Sequence, residues 1–192
     1  MVRVLSHGWF VDLGNQRETQ MRWDEYFLNM LPAIASKSPD PRTKVGAVIV
    51  DDRNIIIGTG YNGLPRGVKH EAERFEAPEK YDWMLHAEEN AILCARRSVE
   101  KGVLYVSRFP CHYCARRIIQ AGISRVVVGE QTDKDFAVRW ADSHEKSKAM
   151  FREAGVDFGE DLCKCVGLRT LVCTDEGLDC YQCGERTVER GA

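Results

Sequence analysis

Apolar residues recur at helical spacing after Asp24: Tyr26, Phe27, Met30, Leu31 and Ile34 share one side of a 3.6-residue period. This pattern predicts a helix opened near Asp24, a residue type suited to capping. It should stop within residues 36–41, where Pro39 and Pro41 break it. Residues 45–50 then form a short apolar run, 51–54 read as a turn, and 55–57 lead into Gly58, so a β-hairpin is expected. Residues 63–82 are polar and carry Gly63, Pro65, Gly67 and Pro78. A loop of that length in a compact domain is usually functional or disordered. Helices are predicted over 86–97, 111–121 and 142–154, the last two closed by Gly122 and Gly155. Strands are predicted over 103–107, 125–129 and 156–158. The resulting order is α, β, β, α, β, α, β, α, β. Alternation after the hairpin implies an α/β domain whose mixed sheet has helices on both faces.

Two segments fall outside this pattern. Residues 1–20 have weak periodicity and read as an N-terminal extension. From residue 159 the composition changes, and Cys163, Cys165, Cys173, Cys180 and Cys183 crowd into a tail running to residue 192. The tail also holds an expected strand over 168–173 and a charged end over 185–190. A central domain is therefore expected over 21–158.

Composition narrows the function classes. With 27 Lys and Arg against 29 Asp and Glu, the formal charge of the 192-residue chain is −2, which gives no basic footprint for nucleic acid. Hydrophobic residues make up 44 %, too many for a chain that is mainly disordered. The apolar runs, such as residues 45–50, are far too short to span a bilayer. Residues 1–10 hold only Arg3 and no sufficient apolar stretch, so no signal peptide is expected. The expected location is the cytoplasm, or the host cytoplasm for a viral source. Eight cysteines in a chain of this type point to metal binding or catalysis rather than to a disulfide scaffold.

Two short segments carry the chemistry: His86-Ala87-Glu88 and Pro110-Cys111-His112-Tyr113-Cys114. Each opens a predicted helix. Cys111 and Cys114 are three residues apart, so one helical turn puts both on one face. A helix N-terminus favours thiolates. His86 adds an imidazole, and three N and S ligands leave one position open, as in catalytic rather than structural zinc sites. Such a zinc lowers the pKa of a bound water to about 7. Glu88, two residues beyond His86, is placed to take that water's proton without being a ligand. Alone, Cys-x-x-Cys fits half of a structural knuckle or a redox pair, and His-x-Glu means little. Together, with Pro110 about twenty residues after Glu88, they match the zinc-deaminase signature. His112, between the cysteines, is expected to face away from the metal.

The sequence resembles deoxycytidylate (dCMP) deaminases of the cytidine-deaminase superfamily. The matching stretches are Asp40-Pro-Arg-Thr-Lys-Val-Gly-Ala-Val-Ile-Val50, Gly60-Tyr-Asn-Gly-Leu-Pro-Arg-Gly67, His86-Ala-Glu-Glu-Asn-Ala-Ile92, Leu104-Tyr-Val106, residues 109–123 and residues 148–156, together covering about 22–158. The resemblance implies a three-layer α/β/α fold with a mixed five-stranded sheet and one zinc per subunit. It also implies hydrolysis of dCMP to dUMP and ammonia, supplying dUMP for thymidylate synthesis. It implies a homo-oligomer, typically a hexamer, activated by dCTP and inhibited by dTTP, with Mg2+ accompanying the effector. Carried over to this chain, His86, Cys111 and Cys114 hold zinc and Glu88 shuttles the proton. Asn62 bonds the deoxyribose, the Ala87 backbone reads the cytosine edge, and Phe109 lines the pocket. Gly60, Tyr61, Asn62, Gly63 and Arg66 touch the effector.

A nucleotide phosphate needs cations. Arg42, Lys44, Arg116 and Arg117 are the candidates, with Lys44 taken as the substrate-binding choice; solvated helix faces are the alternative for the two arginines at 116 and 117. Trp140, in an acidic and aromatic link over 130–141, reads as packing before substrate contact. In the tail, Cys163-x-Cys165 and Cys180-x-x-Cys183, with Cys173 between, fit either a second, structural zinc or free thiols; the first pair is spaced tightly for zinc. His7 and His70 read as solvated. Competing substrates are a modified dCMP, dCTP, a free nucleoside, or a cytosine or adenine base in nucleic acid. The net charge argues against the last, and Glu88 argues against a non-catalytic zinc module.

Overall fold

The computed structural model describes residues 21–129 and 134–159, together with three short strands in the tail. The N-terminal extension, including His7, lies outside the described residues. Helix α1 (Trp23–Ala35) buries Phe27, Leu31 and Ala35, one residue per turn. It contains Pro32 without breaking, and its end falls at Ala35, before the two prolines that the sequence suggested as breakers. Ser36 closes it: the Ser36 N–H donates to the Pro32 carbonyl at 3.0 Å and the Ser36 hydroxyl donates to Ala33 at 2.7 Å.

Strands β1 (Gly46–Val50) and β2 (Ile56–Tyr61) form the expected hairpin. Two further strands follow, β3 (Val103–Val106) and β4 (Arg125–Val128), and the sheet order is β2-β1-β3-β4. β1 runs antiparallel to β2 and β3, whereas β4 runs parallel to β3, so the sheet is mixed. Every residue of β1 is buried because both faces of the sheet are covered. Val48 and Val50 join Phe27, Leu31 and Tyr105 on the α1 side. Ala47 and Ile49 face the opposite layer, built from α3 (Ala87–Cys94), α4 (His112–Gln120) and α6 (Ala141–Ala154). This is the expected three-layer arrangement.

The fifth strand is a correction. Residues 156–158 contribute only a single parallel bridge, Asp157 with Arg125, in place of a full strand. The reason is local. Gly155 ends α6 in the left-handed conformation at φ 69°, and Gly159 turns the chain again at φ 77°. Too few residues lie between the two turns to extend a ladder. The long polar segment also holds more structure than expected: a 3-10 turn at Ala72–Phe75, a short helix α2 (Lys80–Trp83), and a bridge between Gly63 and Leu85. A further helix, α5 (Lys134–Arg139), occupies part of the link before α6.

In the tail, β5 (Leu171–Thr174), β6 (Gly177–Cys180) and β7 (Arg186–Val188) form an antiparallel meander in that order. The strand expected over 168–173 thus falls a few residues later. Cys163, Cys165 and Cys183, on which the second-zinc expectation depends, lie outside the described residues.

α3 sits unusually close to the sheet. A Cβ at Gly60 would meet the Ala87 carbonyl oxygen at 2.2 Å and the Ala91 nitrogen at 2.4 Å. At Gly58 it would meet the Ala91 carbonyl oxygen at 2.6 Å. Only glycine permits this approach, and it seats the N-terminus of α3 over the end of β2.

Candidate active site

The N-termini of α3 and α4 meet above the sheet. His86 is the N-cap residue of α3 and Cys111 that of α4, with Cys114 one turn on. The His86, Cys111 and Cys114 ligand atoms all lie within 4.8 Å of one another. His86 Nδ1 is 3.3 Å from Cys111 Sγ and 3.4 Å from Cys114 Sγ. Among the described residues this is the one His, Cys, Asp and Glu group compact enough to hold a metal ion. Both cysteines are buried, and Glu88, 5 % exposed, lies on the second residue of α3 beside them.

The electrostatics of the cluster are strongly polarised. Burial works to lower the His86 pKa, but the hydrogen bond to Cys111 and the charge of Glu88 raise it to about 9. Cys111 falls to about 3: the hydrogen bond from Cys114 is the largest cause, and His86 assists against the opposing effect of burial. Cys114 moves well above its ordinary value, because it donates to Cys111, is buried, and faces the charges of Glu88 and Cys111. Glu88 is raised by burial, with the His86 charge pulling the other way. An N, S, S donor set of this softness and geometry suits zinc.

The cluster opens into a cleft of about 690 Å3, part of it continuous with solvent. Its lining mixes aromatic and apolar side chains with a few polar and charged ones, the usual character of a small-molecule site. Its walls include Asn62, Ala87, Glu88 and Phe109, four of the residues implicated by sequence. Asn62 is buried; its Oδ1 accepts from the Val45 N–H at 2.8 Å and its Nδ2 donates to the Thr43 carbonyl at 2.8 Å. One Nδ2 hydrogen remains for a further acceptor. The Ala87 N–H lies in the first turn of α3, where no intrahelical acceptor exists.

The other sequence candidates lie elsewhere. Lys44 is exposed, does not line the cleft, and donates to the Ser38 carbonyl at 2.9 Å. Arg42 pairs with Glu76, and Arg117 with Glu89 at 2.9 Å. Arg116 lies 5.0 Å from the centre of the Tyr113 ring. Of the five effector candidates only Asn62 lines the cleft. Gly60 packs on α3, the Tyr61 carbonyl accepts from Asn90 at 2.9 Å, Gly63 bridges to Leu85, and Arg66 donates to Cys94 Sγ at 3.3 Å. His112 turns from the cluster to Ser143, its Nδ1 2.8 Å from the hydroxyl.

Several cleft residues escaped the sequence reading: Lys80, Tyr81, Arg108, Phe136, Arg139 and His144. Arg108 stands directly before the Phe109-Pro110-Cys111 motif, which was a usable signal. Phe136, Arg139 and His144 come from α5 and α6, whose approach to the cleft is a tertiary event without a sequence mark. Trp140 both packs and lines: its ring lies 6.3 Å from His86 and 6.0 Å from Tyr81, each edge to face.

Comparison with known proteins agrees with this geometry. The zinc-binding region of cytidine and deoxycytidylate deaminases matches residues 21–130. The chain belongs to the cytidine and deoxycytidylate deaminase family. As a family member it is a hydrolytic deaminase, and its His, Cys and Cys cluster fits the zinc of that region. It is 46 % identical over 136 residues to an uncharacterized deaminase from the luxG 3′ region of Aliivibrio fischeri, covering 71 % of this chain and 91 % of the relative. It is 39 % identical over 160 residues to deoxycytidylate deaminase of Homo sapiens, covering 78 % and 85 %. The crystal structure of dCMP deaminase from the cyanophage S-TIM5 in apo form superposes with a TM-score of 0.54 at 25 % identity, covering 70 % of this chain and 94 % of that one. Among the described residues, no helix of this family member is long and apolar enough to cross a membrane.

Proposed function

We propose that the chain is a zinc-dependent enzyme that hydrolyses dCMP to dUMP and ammonia. The observation that carries this reading is the buried carboxylate of Glu88 beside three converging N and S ligand atoms, in a cleft that also holds Asn62 and cationic side chains. His86, Cys111 and Cys114 would hold the ion. When bound, zinc supplies a Lewis acid that makes a water acidic enough to act as a nucleophile near neutral pH.

Glu88 then does the proton work. Its carboxylate accepts a proton from the attacking water and delivers it to the ring nitrogen of the cytosine, then takes the proton of the new hydroxyl on the attacked carbon and gives it to the amino group, so that the C–N bond breaks, ammonia departs and the carbonyl forms. Burial of Glu88 excludes bulk water, so protons pass between fixed partners. The Ala87 N–H offers a donor to the pyrimidine edge. The free Nδ2 hydrogen of Asn62 suits a deoxyribose oxygen, while its two backbone bonds fix the amide in place. Phe109 and Trp140 give the flat base apolar walls.

Regulation and assembly follow the same reading: activation by dCTP and inhibition by dTTP at a site using Gly60, Tyr61, Asn62, Gly63 and Arg66, with Mg2+ on the effector, in a homohexamer. Ammonia release from dCMP, deoxycytidine, dCTP and a cytosine-containing single-stranded DNA tests the substrate, and repeating the dCMP assay with dCTP and dTTP tests the effectors. Preference for dCMP, raised by dCTP and suppressed by dTTP, is expected. A preference for any other member of the panel overturns the substrate, and a rate indifferent to both effectors overturns the regulation.

A further inference from the structure

α4 opens on a metal ligand. Its N-cap residue, Cys111, carries a thiol rather than a hydroxyl or carboxylate. The first N–H groups of a helix have no intrahelical acceptor, so a neighbour has to supply one. Ser143, the third residue of α6, does so: its hydroxyl accepts from the His112 N–H at 3.0 Å. The same oxygen lies 2.8 Å from His112 Nδ1. A serine hydroxyl can accept from one group and donate its proton to another, so both contacts close together when Nδ1 carries no proton. Ser143 is buried, and its carbonyl accepts from the hydroxyl of Ser147, fully buried one turn further along, at 3.0 Å.

The next residue of α6 grips the other side of the ligand. The His144 ring stands 5.2 Å from the Phe109 ring, edge to face, and a hydrogen bond joins it to the Phe109 backbone. Phe109 is boxed in further by Phe151 at 6.3 Å and Phe158 at 6.0 Å. Only Pro110 and Cys111 lie between the two grips. The proline ring already fixes φ at its own position. Two consecutive residues of α6 therefore bracket the segment Phe109-Pro110-Cys111-His112. α6 itself is anchored in the core by Phe151, which is fully buried.

We propose that Ser143 and His144 are positioning residues for the zinc ligand Cys111, clamping from α6 the turn that carries it. This inference rests on the zinc reading of the cluster and deepens it. Each residue of a chain has two soft backbone dihedrals. Holding the residues on both sides of Cys111 removes that freedom before a metal arrives, so the ion does not have to order the turn itself. The clamp also gives His112 a use. It binds no metal, yet its backbone and ring are the handle by which Ser143 holds α4. Partners that orient a metal ligand commonly matter about 10–100-fold to affinity or activity.

The test reads zinc affinity, not turnover. Full-length metal-free protein competes with a chromophoric chelator for zinc at pH 7. Ser143→Ala should weaken zinc binding about tenfold or more. His144→Phe, which keeps a ring against Phe109 but loses the polar bond, should weaken it about threefold or more. His112→Ala added to Ser143→Ala should increase the loss by less than about twofold, because both side chains act through one hydroxyl. Urea unfolding of the metal-free variants is the control. A residue that only stabilises the fold lowers the metal-free and zinc-loaded forms alike, and the affinity, which reads their difference, stays put. Affinity unchanged in both Ser143→Ala and His144→Phe would therefore overturn the proposal, whatever their stability. A wild type that takes up no zinc would overturn the zinc reading and the clamp with it. Tight zinc binding by a protein inert toward dCMP would count against the substrate reading alone, since the clamp is measured without substrate.

Discussion

His86 Nδ1 and Cys111 Sγ stand 3.3 Å apart with their proton affinities inverted, the imidazole raised to about 9 and the thiol lowered to about 3. At neutral pH the pair is an imidazolium beside a thiolate, while the neighbouring Cys114 thiol keeps its proton. Metal ligation demands a neutral imidazole and two thiolates.

Zinc uptake by the metal-free protein at pH 7 should therefore release about two protons, one from His86 and one from Cys114, and none from Cys111. The sign follows from the shifts. Groups raised above the working pH give up protons on binding, and a group already lowered below it has none to give. Apparent zinc affinity should climb with pH by about two log units per pH unit between the Cys111 value and the His86 value. Zinc titrations in buffers of different ionisation enthalpy measure the proton count. Release near zero, or an affinity flat across pH 6–8, would contradict the assigned states.

The Gly60 contact with α3 predicts a coupled loss of stability and metal. A Cβ there would lie 2.2 Å from the Ala87 carbonyl oxygen, a backbone atom that cannot move without displacing His86 and Glu88. Gly60→Ala should lower stability by about 1–3 kcal/mol, the usual scale for overpacking, and should weaken zinc retention. Denaturant unfolding together with metal analysis checks both. A variant with unchanged zinc affinity would show that α3 does not depend on this contact for its seat.

Asp40 is buried and holds three partners. Its Oδ1 accepts from the Arg42 and Thr43 N–H groups at 2.8 and 3.0 Å, and its Oδ2 accepts from Lys80 at 3.2 Å. Asp40→Ala should cost about 3–5 kcal/mol, because it strands a mostly buried ammonium. Asp40→Ala combined with Lys80→Met should recover a large part of that loss. Urea unfolding of the single and double variants measures the recovery, and a double variant as unstable as the single would argue against the ion pair as the cause.

How much of this was legible in the sequence depends on the range of the interactions involved. His86, Glu88, Cys111 and Cys114 are close in sequence to helix starts, so spacing and capping were enough to group them. The hairpin and the four main helices carried their own local patterns. α5 did not: it is six residues long and embedded in a polar, charged stretch. Its contribution to the cleft, and that of His144, depends on how α6 packs across α4, which no local pattern encodes. Lys44 drew attention through its charge, yet a nearby carbonyl at Ser38 captures its ammonium. The expected fifth strand was lost to the two glycine turns that bracket it.

The central claim is that Glu88 moves protons rather than holding metal. Glu88→Gln keeps the shape of the side chain and the three ligand residues, so the variant should retain one zinc per described domain. Its ammonia release from dCMP should fall by about 10²-fold or more, the scale of general acid–base catalysis. Measuring zinc content and ammonia release on the same preparation tests this directly. Full zinc with lost activity is the predicted result, and full zinc with activity close to wild type would contradict the account.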